Sequence, residues 1–276
     1  MRLVSFDPLR SLGIPGITQV KAEQVFRRLD EVRTADWVLF PQSWQVNFLH
    51  YGLKRRIFPS IASYHLGHDK VEMTRAFWSV AEAHVPLTLI LPADESGAET
   101  AADGLGFPLV VKEPRNSMGR GVHLVENRKQ LAALVPMLDV LYAQEYLPCE
   151  RDLRVVVVGD RVLTAYWRSG GDGFLHNVSR GGELDFAEIP QEAVELALAV
   201  ARDLGVDHAG FDLLVPADGR PRLIELNTMF GTQGLNAAGV KTAPVILEWL
   251  RRQTDDGGRA QGPPLRGGGP PAAIPA

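Results

Sequence analysis

Gly210-Phe-Asp-Leu-Leu-Val-Pro-Ala-Asp-Gly-Arg-Pro-Arg-Leu-Ile-Glu-Leu-Asn227 reads as two strands, Phe211 to Val215 and Arg222 to Leu226, folded back on each other. Asp218-Gly219 lies between them, a dipeptide that readily supplies the positive φ of a tight hairpin turn. A turn centred there sets Asp212 directly opposite Glu225, and Asn227, two residues further on, falls on the same face. Leu213, Leu214, Leu223 and Ile224 are apolar, so the hairpin is predicted to be at least half-buried. Two carboxylates facing each other in such a place repel and lose hydration. A divalent cation would resolve both problems, and an all-oxygen Asp/Glu/Asn set suits Mg²⁺ that also takes phosphate oxygens. The alternative is a solvent-facing rim neutralised by nearby arginines.

Two further stretches point toward phosphate. Val110-Val111-Lys112 reads as a buried strand ending in a lysine, and Glu113-Pro-Arg-Asn-Ser-Met-Gly119-Arg-Gly121 follows it. Closely spaced glycines let backbone N–H groups approach an oxyanion, and the lysine adds a point charge. The pattern is not a Walker A loop, and an ordinary surface hairpin explains it equally well. Arg151-Asp152-Leu-Arg154, with Arg168 and Arg180, could clamp carboxylate or phosphate. Structural ion pairs are the alternative for these arginines.

Around these stretches the chain divides into four parts. Residues 1–68 read as a small α/β unit with strands at Leu3–Phe6, Trp37–Phe40 and Ile57–Ser60 and a helix opening near Thr18, implying a parallel sheet. In residues 69–141, Asp69 is placed to cap a helix that ends before Pro86, and strands follow at Leu109–Lys112 and Val122–Val125. Residues 142–253 carry a first hairpin about Gly159-Asp160, a helix from Pro190 to Leu204 stopped by Gly205, and the second hairpin. Strands and helices mix there without strict alternation, an α+β pattern. Residues 254–276 are rich in Gly and Pro without apolar periodicity and are predicted to be disordered.

A formal net charge of −4 gives no basic footprint for nucleic acid. The one cysteine, Cys149, excludes an internal disulfide and a cysteine zinc cluster. No apolar run approaches membrane-spanning length. The opening Met-Arg-Leu-Val-Ser-Phe reads as a strand rather than a signal peptide. These features predict a cytoplasmic, membrane-free protein.

Taken in order, His68-Asp69-Lys70, Leu109-Val-Val-Lys112, Met118-Gly-Arg-Gly-Val122, Gln144-Glu-Tyr-Leu147, Asp152-Leu-Arg154, Asn177-Val-Ser-Arg-Gly-Gly182, Gly210-Phe-Asp212 and Glu225-Leu-Asn227 resemble the ATP-grasp superfamily, most closely its RimK-like branch. The resemblance implies two α+β subdomains clasping ATP, preceded by a small α/β pre-ATP-grasp domain that helps form the acceptor site. It implies phosphate contacts from Lys70, Lys112 and the Gly119–Gly121 loop, with Asn177 beside them. Glu145, Tyr146 and Leu147 would meet adenine, and Asp152 the ribose. Asp212, Glu225 and Asn227 would hold Mg²⁺ or Mn²⁺, while Arg154 and Arg180 would stabilise the transferring phosphoryl group. The implied activity is a carboxylate–amine ligase working through an acyl phosphate. It would join an amino acid, glutamate favoured, to a carboxylate on a protein tail, carrier or coenzyme, and a homo-oligomer is compatible with this. A phosphotransferase and a non-catalytic ATP-binding protein are the alternatives. One departure is Leu175-His176-Asn177 where the family has Arg-Ser-Asn, which removes a cation and bears on acceptor choice.

Overall fold

The computed structural model describes residues 1–116, 121–170 and 183–255. Of the tail expected over residues 254–276, Thr254 and Asp255 are the last residues of a helix and residues 256–276 lie outside the described ones. The described residues form two compact units: residues 1–58 together with residues 247–255, and residues 59–246.

The first unit holds a four-stranded sheet in the order β2-β1-β3-β4, all parallel, from β1 (Leu3–Ser5), β2 (Ile17–Gln19), β3 (Trp37–Leu39) and β4 (Arg56–Phe58). Helices α1 (Leu29–Thr34) and α2 (Ser43–Asn47) lie between its strands in sequence. Strands β1, β3 and β4 match the expected ones. The helix expected from Thr18 is absent. Ile17 to Gln19 pairs instead with Leu3 to Ser5 as an edge strand, and the helix begins only at Leu29. The apolar residues after Thr18 do not share one helical face: Val20 and Val25 are buried while Phe26 is exposed.

In the second unit, α3 (Ile61–Leu66) and α4 (Lys70–Ala81) precede a four-stranded antiparallel sheet in the order β5-β8-β6-β7. Its elements are β5 (Thr88–Leu91), α5 (Glu95–Leu105), β6 (Leu109–Lys112), β7 (Val122–Val125), α6 (Arg128–Leu134) and β8 (Leu141–Glu145). Asp69 caps α4 as expected, accepting from the Val71 and Glu72 amides. Leu109, Val111, Leu141 and Ala143 pack with Ala101, Ala102 and Leu131 of α5 and α6. Strand alternation therefore turns Val110, Lys112, Tyr142 and Gln144 to the other face.

The second sheet runs β11-β10-β9-β12-β13, antiparallel throughout. It is built from β9 (Arg151–Val158), β10 (Arg161–Ser169), β11 (Glu183–Asp185), β12 (His208–Leu214) and β13 (Arg222–Asn227), with α7 (Gln191–Leu204) between β11 and β12. Helices α8 (Gln233–Ala237) and α9 (Thr242–Asp255) follow β13. Gly205 stops α7 at φ +69, a left-handed conformation that suits glycine. Leu153, Val155, Val157, Trp167, Phe211 and Leu213 face the core with Met73, Phe77 and four residues of α7 (Ala193, Ala197, Val200, Ala201). The opposite face carries Asp152, Arg154, Arg168 and Asp212.

Candidate functional site

Asp212 pairs across the ladder with Glu225, and Gly210 with Asn227, as the hairpin reading requires. The route to that register differs from a simple turn. Nearer the loop Leu213 opposes Leu223 and Leu214 opposes Arg222, and a bulge separates these pairs from Asp212↔Glu225. Strict alternation from buried Leu223 would put Glu225 in the core. The extra residue moves Glu225 and Asn227 to the face of Asp212. Asn227 Nδ2 then donates to Glu225 Oε1 at 2.9 Å and to Asp212 Oδ2 at 3.1 Å.

The expected repulsion between bare carboxylates is not what the fold presents. Asp212 is buried between two buried arginines. Arg154, opposite it on β9, donates Nε to Oδ1 and Nη2 to Oδ2, the second at 2.9 Å. Arg168 Nη2 reaches Oδ1 at 2.9 Å. Burial alone would push the Asp212 carboxyl up, but Arg154 and Arg168 hold it below the usual range. Arg168 also donates Nε to Asp152 Oδ1 at 2.6 Å. Burial pushes Asp152 up to about 6, against the pull of Arg168. Gly210 makes room for Arg154: a Cβ there would stand 2.6 Å from Nη1 and 2.9 Å from Cδ.

Strand β6 and the start of α4 bring lysines to this place. Lys112 Nζ donates to Gln144 Oε1 at 2.7 Å, and Gln144 is fixed in turn by its own bond to Thr88 Oγ1 at 2.8 Å. Burial lowers the Lys112 ammonium to about 8. Glu225 and Asp212 pull it upward across the gap between the sheets, and Lys70 pushes it down. Lys70 is buried and donates to the Asn116 carbonyl. Glu145 receives the Leu87 amide on Oε1 at 2.7 Å, and Tyr146 and Leu147 lie half-buried in the link from β8 to β9. Gly121, at φ +64, has Glu113 and Asn116 where its Cβ would be, and its carbonyl accepts the Glu113 amide at 2.7 Å. Backbone closure of this loop is reason enough for that glycine.

The fold thus gathers Lys70, Lys112, Asp152, Arg154, Asp212, Glu225 and Asn227. Gly119, Asn177 and Arg180, with Leu175 and His176, lie outside the described residues. Arg151 is turned away: its guanidinium stacks on Trp167 at 4.1 Å and pairs with Asp185 at 3.2 Å. Arg115 pairs with Asp69 at 3.0 Å. In the sequence Arg168 stands only as one of several arginines able to clamp carboxylate or phosphate; its place between Asp152 and Asp212 depends on cross-strand pairing with Asp152, which exists only once the sheet forms.

Among the described residues, no three His, Cys, Asp or Glu side chains are grouped to hold a metal. Two carboxylates and an amide oxygen are all that Asp212, Glu225 and Asn227 offer. Such an all-oxygen, incomplete set fits Mg²⁺, which keeps several ligands for water and substrate phosphates. Glu225 has no cationic partner within ion-pair distance among the described residues.

A family profile described as the RimK-like ATP-grasp domain matches residues 79–250. The chain is 32% identical over 218 residues to a probable alpha-L-glutamate ligase of an Enterobacter species, covering 73% of this chain and 72% of that one. It is 36% identical over 155 residues to the ribosomal protein bS6–L-glutamate ligase of Escherichia fergusonii, covering 53% and 51%. In fold it is similar to the D-alanine–D-alanine ligase of Bacillus anthracis, with a TM-score of 0.71 at 16% identity over 94% of this chain and all of that one. No described helix is long and apolar enough to cross a membrane.

Proposed function

The chain belongs to the RimK-like ATP-grasp family, and on that premise we propose that it is an ATP-dependent carboxylate–amine ligase that adds glutamate to a carboxylate acceptor, a protein tail before a carrier or coenzyme. The observation that carries this reading is the Asp212–Glu225–Asn227 face, with Asp212 buried and the other two half-buried, set opposite Lys112. Seven polar groups, nearly all charged, converge where no folding requirement asks for them, and burying charge without function is costly.

The reaction has two steps. A carboxylate oxygen of the acceptor attacks the γ-phosphorus, the bond to the β-bridging oxygen breaks, and ADP leaves with an acyl phosphate formed. The amine nitrogen of glutamate then attacks the acyl carbon, inorganic phosphate departs, and the nitrogen loses a proton as the amide forms. The protein's task is positioning and charge stabilisation. Lys70 and Lys112 bind phosphate oxygens, Asp152 the ribose, and the Glu145–Leu147 link the adenine edge. Arg154, fixed on Asp212 and lying over Gly210, is the cation for the transferring phosphoryl group, with Arg180 as a second. Asp212, Glu225 and Asn227 would hold Mg²⁺ or Mn²⁺, which when bound neutralises charge on phosphate oxygens.

Glutamate rests on what the relatives are named for. A surplus of arginines lends it no support, since Arg115, Arg151, Arg154 and Arg168 are all paired within the fold. The deciding assay measures ADP release and products with paired acceptors and amino acids. ADP release that needs both acceptor and glutamate, with an amide product, supports the ligase. A stable phosphorylated acceptor without amine would make it a phosphotransferase. Binding without turnover across a broad acceptor panel would make it a nucleotide-binding protein.

A further inference from the structure

The geometry points to Arg168 as a positioning residue that couples the two ends of the nucleotide site. It lies on β10, two strands from Asp212 on β12, with β9 between them. Its guanidinium reaches over β9 and touches two carboxylates at once, Asp152 through Nε at 2.6 Å and Asp212 through Nη2 at 2.9 Å. Arg168 is buried, and so is the Asp212 it holds. A planar guanidinium presents its donors in a fixed fork, so the position of one carboxylate constrains the other.

Arg154 does not do this. Among the described residues its guanidinium bonds both go to Asp212, and Gly210 seats it separately. Arg168 alone of the two spans from Asp152, where the reading above puts the ribose, to Asp212, on the metal-binding face. The consequence is thermodynamic. A contact made to Asp152 is felt at Asp212 through one rigid group, and ribose recognition and metal affinity become linked.

This rests on the ligase-site reading, and the test separates the two. Binding of a non-hydrolysable ATP analogue and of its 2′-deoxy form is titrated against MgCl₂, without acceptor or amine. Asp152→Asn in the wild-type background is expected to raise the Mg²⁺ midpoint about threefold or more, as coupling between groups of one network does. In the Arg168→Gln background the same substitution should leave the midpoint unmoved, and discrimination against the 2′-deoxy analogue should fall. Arg168→Lys keeps the charge but offers one donor centre, so it should bind nucleotide and fold while losing the coupling. It serves if the glutamine variant does not fold. If Asp152→Asn shifts the midpoint equally in all three backgrounds, or in none while still abolishing ribose discrimination, Arg168 is not the link. If Asp152→Asn leaves discrimination untouched and Glu225→Gln leaves the Mg²⁺ midpoint untouched, the site reading itself fails and takes the inference with it.

Discussion

Asp212→Asn is expected to destabilise the nucleotide-free protein, although like-charge relief between Asp212 and Glu225 would suggest the reverse. The substitution removes the one carboxylate that neutralises Arg154 and shares Arg168 with Asp152. Two buried guanidiniums would then face a neutral amide that can accept only through a single oxygen. Breaking a buried ion pair from one side costs about 3–5 kcal/mol. Relief of repulsion with Glu225 offsets little of this, because Asp212 already sits at net positive surroundings and its carboxyl is held below the ordinary range. For a unit of this size each kcal/mol shifts the melting temperature by about 2–4 °C, so the expected fall is roughly 6–20 °C. Urea and thermal unfolding at pH 7.5 in EDTA, without nucleotide, measure it. Glu225→Gln, which removes no ion pair among the described residues, is the control and should shift far less. An unchanged or raised melting temperature for Asp212→Asn would refute the reasoning and restore the repulsion picture.

Lys112 titrates near 8 in the folded protein against about 10.4 unfolded. The folded state therefore binds fewer protons between those values, and stability should rise with pH across that window by about 3 kcal/mol relative to Lys112→Met, and be flat below it; parallel stability–pH curves for the two proteins would contradict this. Affinity for the ATP analogue should fall as pH rises through 8 in the wild type but stay level in Lys112→Met. At neutral pH, Lys112→Ala should weaken nucleotide binding by about ten- to a hundredfold, the worth of a charged hydrogen bond, whereas exposed Lys129 on α6 should tolerate alanine; equal affinities would move the triphosphate elsewhere. Gly210→Ala should fold yet lose most turnover, because its Cβ displaces the Arg154 guanidinium; wild-type kcat in a folded variant would show that Arg154's seat is immaterial.

What the sequence determined by itself was local. The Asp69 cap, the Gly205 stop, the hairpin about Gly159-Asp160 and the facing of Asp212 and Glu225 all follow from residues close in the chain, where turn chemistry and alternation act. The ordered motifs from His68 to Asn227 carried the family for the same reason, since each is a short contiguous word. Tertiary structure decided the electrostatics. Strand β12 starts 57 residues after the start of β9, with which it pairs (208 − 151), and only that pairing puts Arg154 and Arg168 around Asp212. Lys112 feels Glu225 because the fold brings strands of two different sheets together. Strand β2 escaped notice because three residues carry too little pattern to outweigh a nearby helical spacing, and its identity comes from the Leu3–Ser5 edge it pairs with. The bulge at Leu223–Glu225 is likewise invisible in the chain. Leu223 and Leu226 can both reach the core only if one residue is skipped, and burial of those two leucines is a property of the packed sheet, not of the strand.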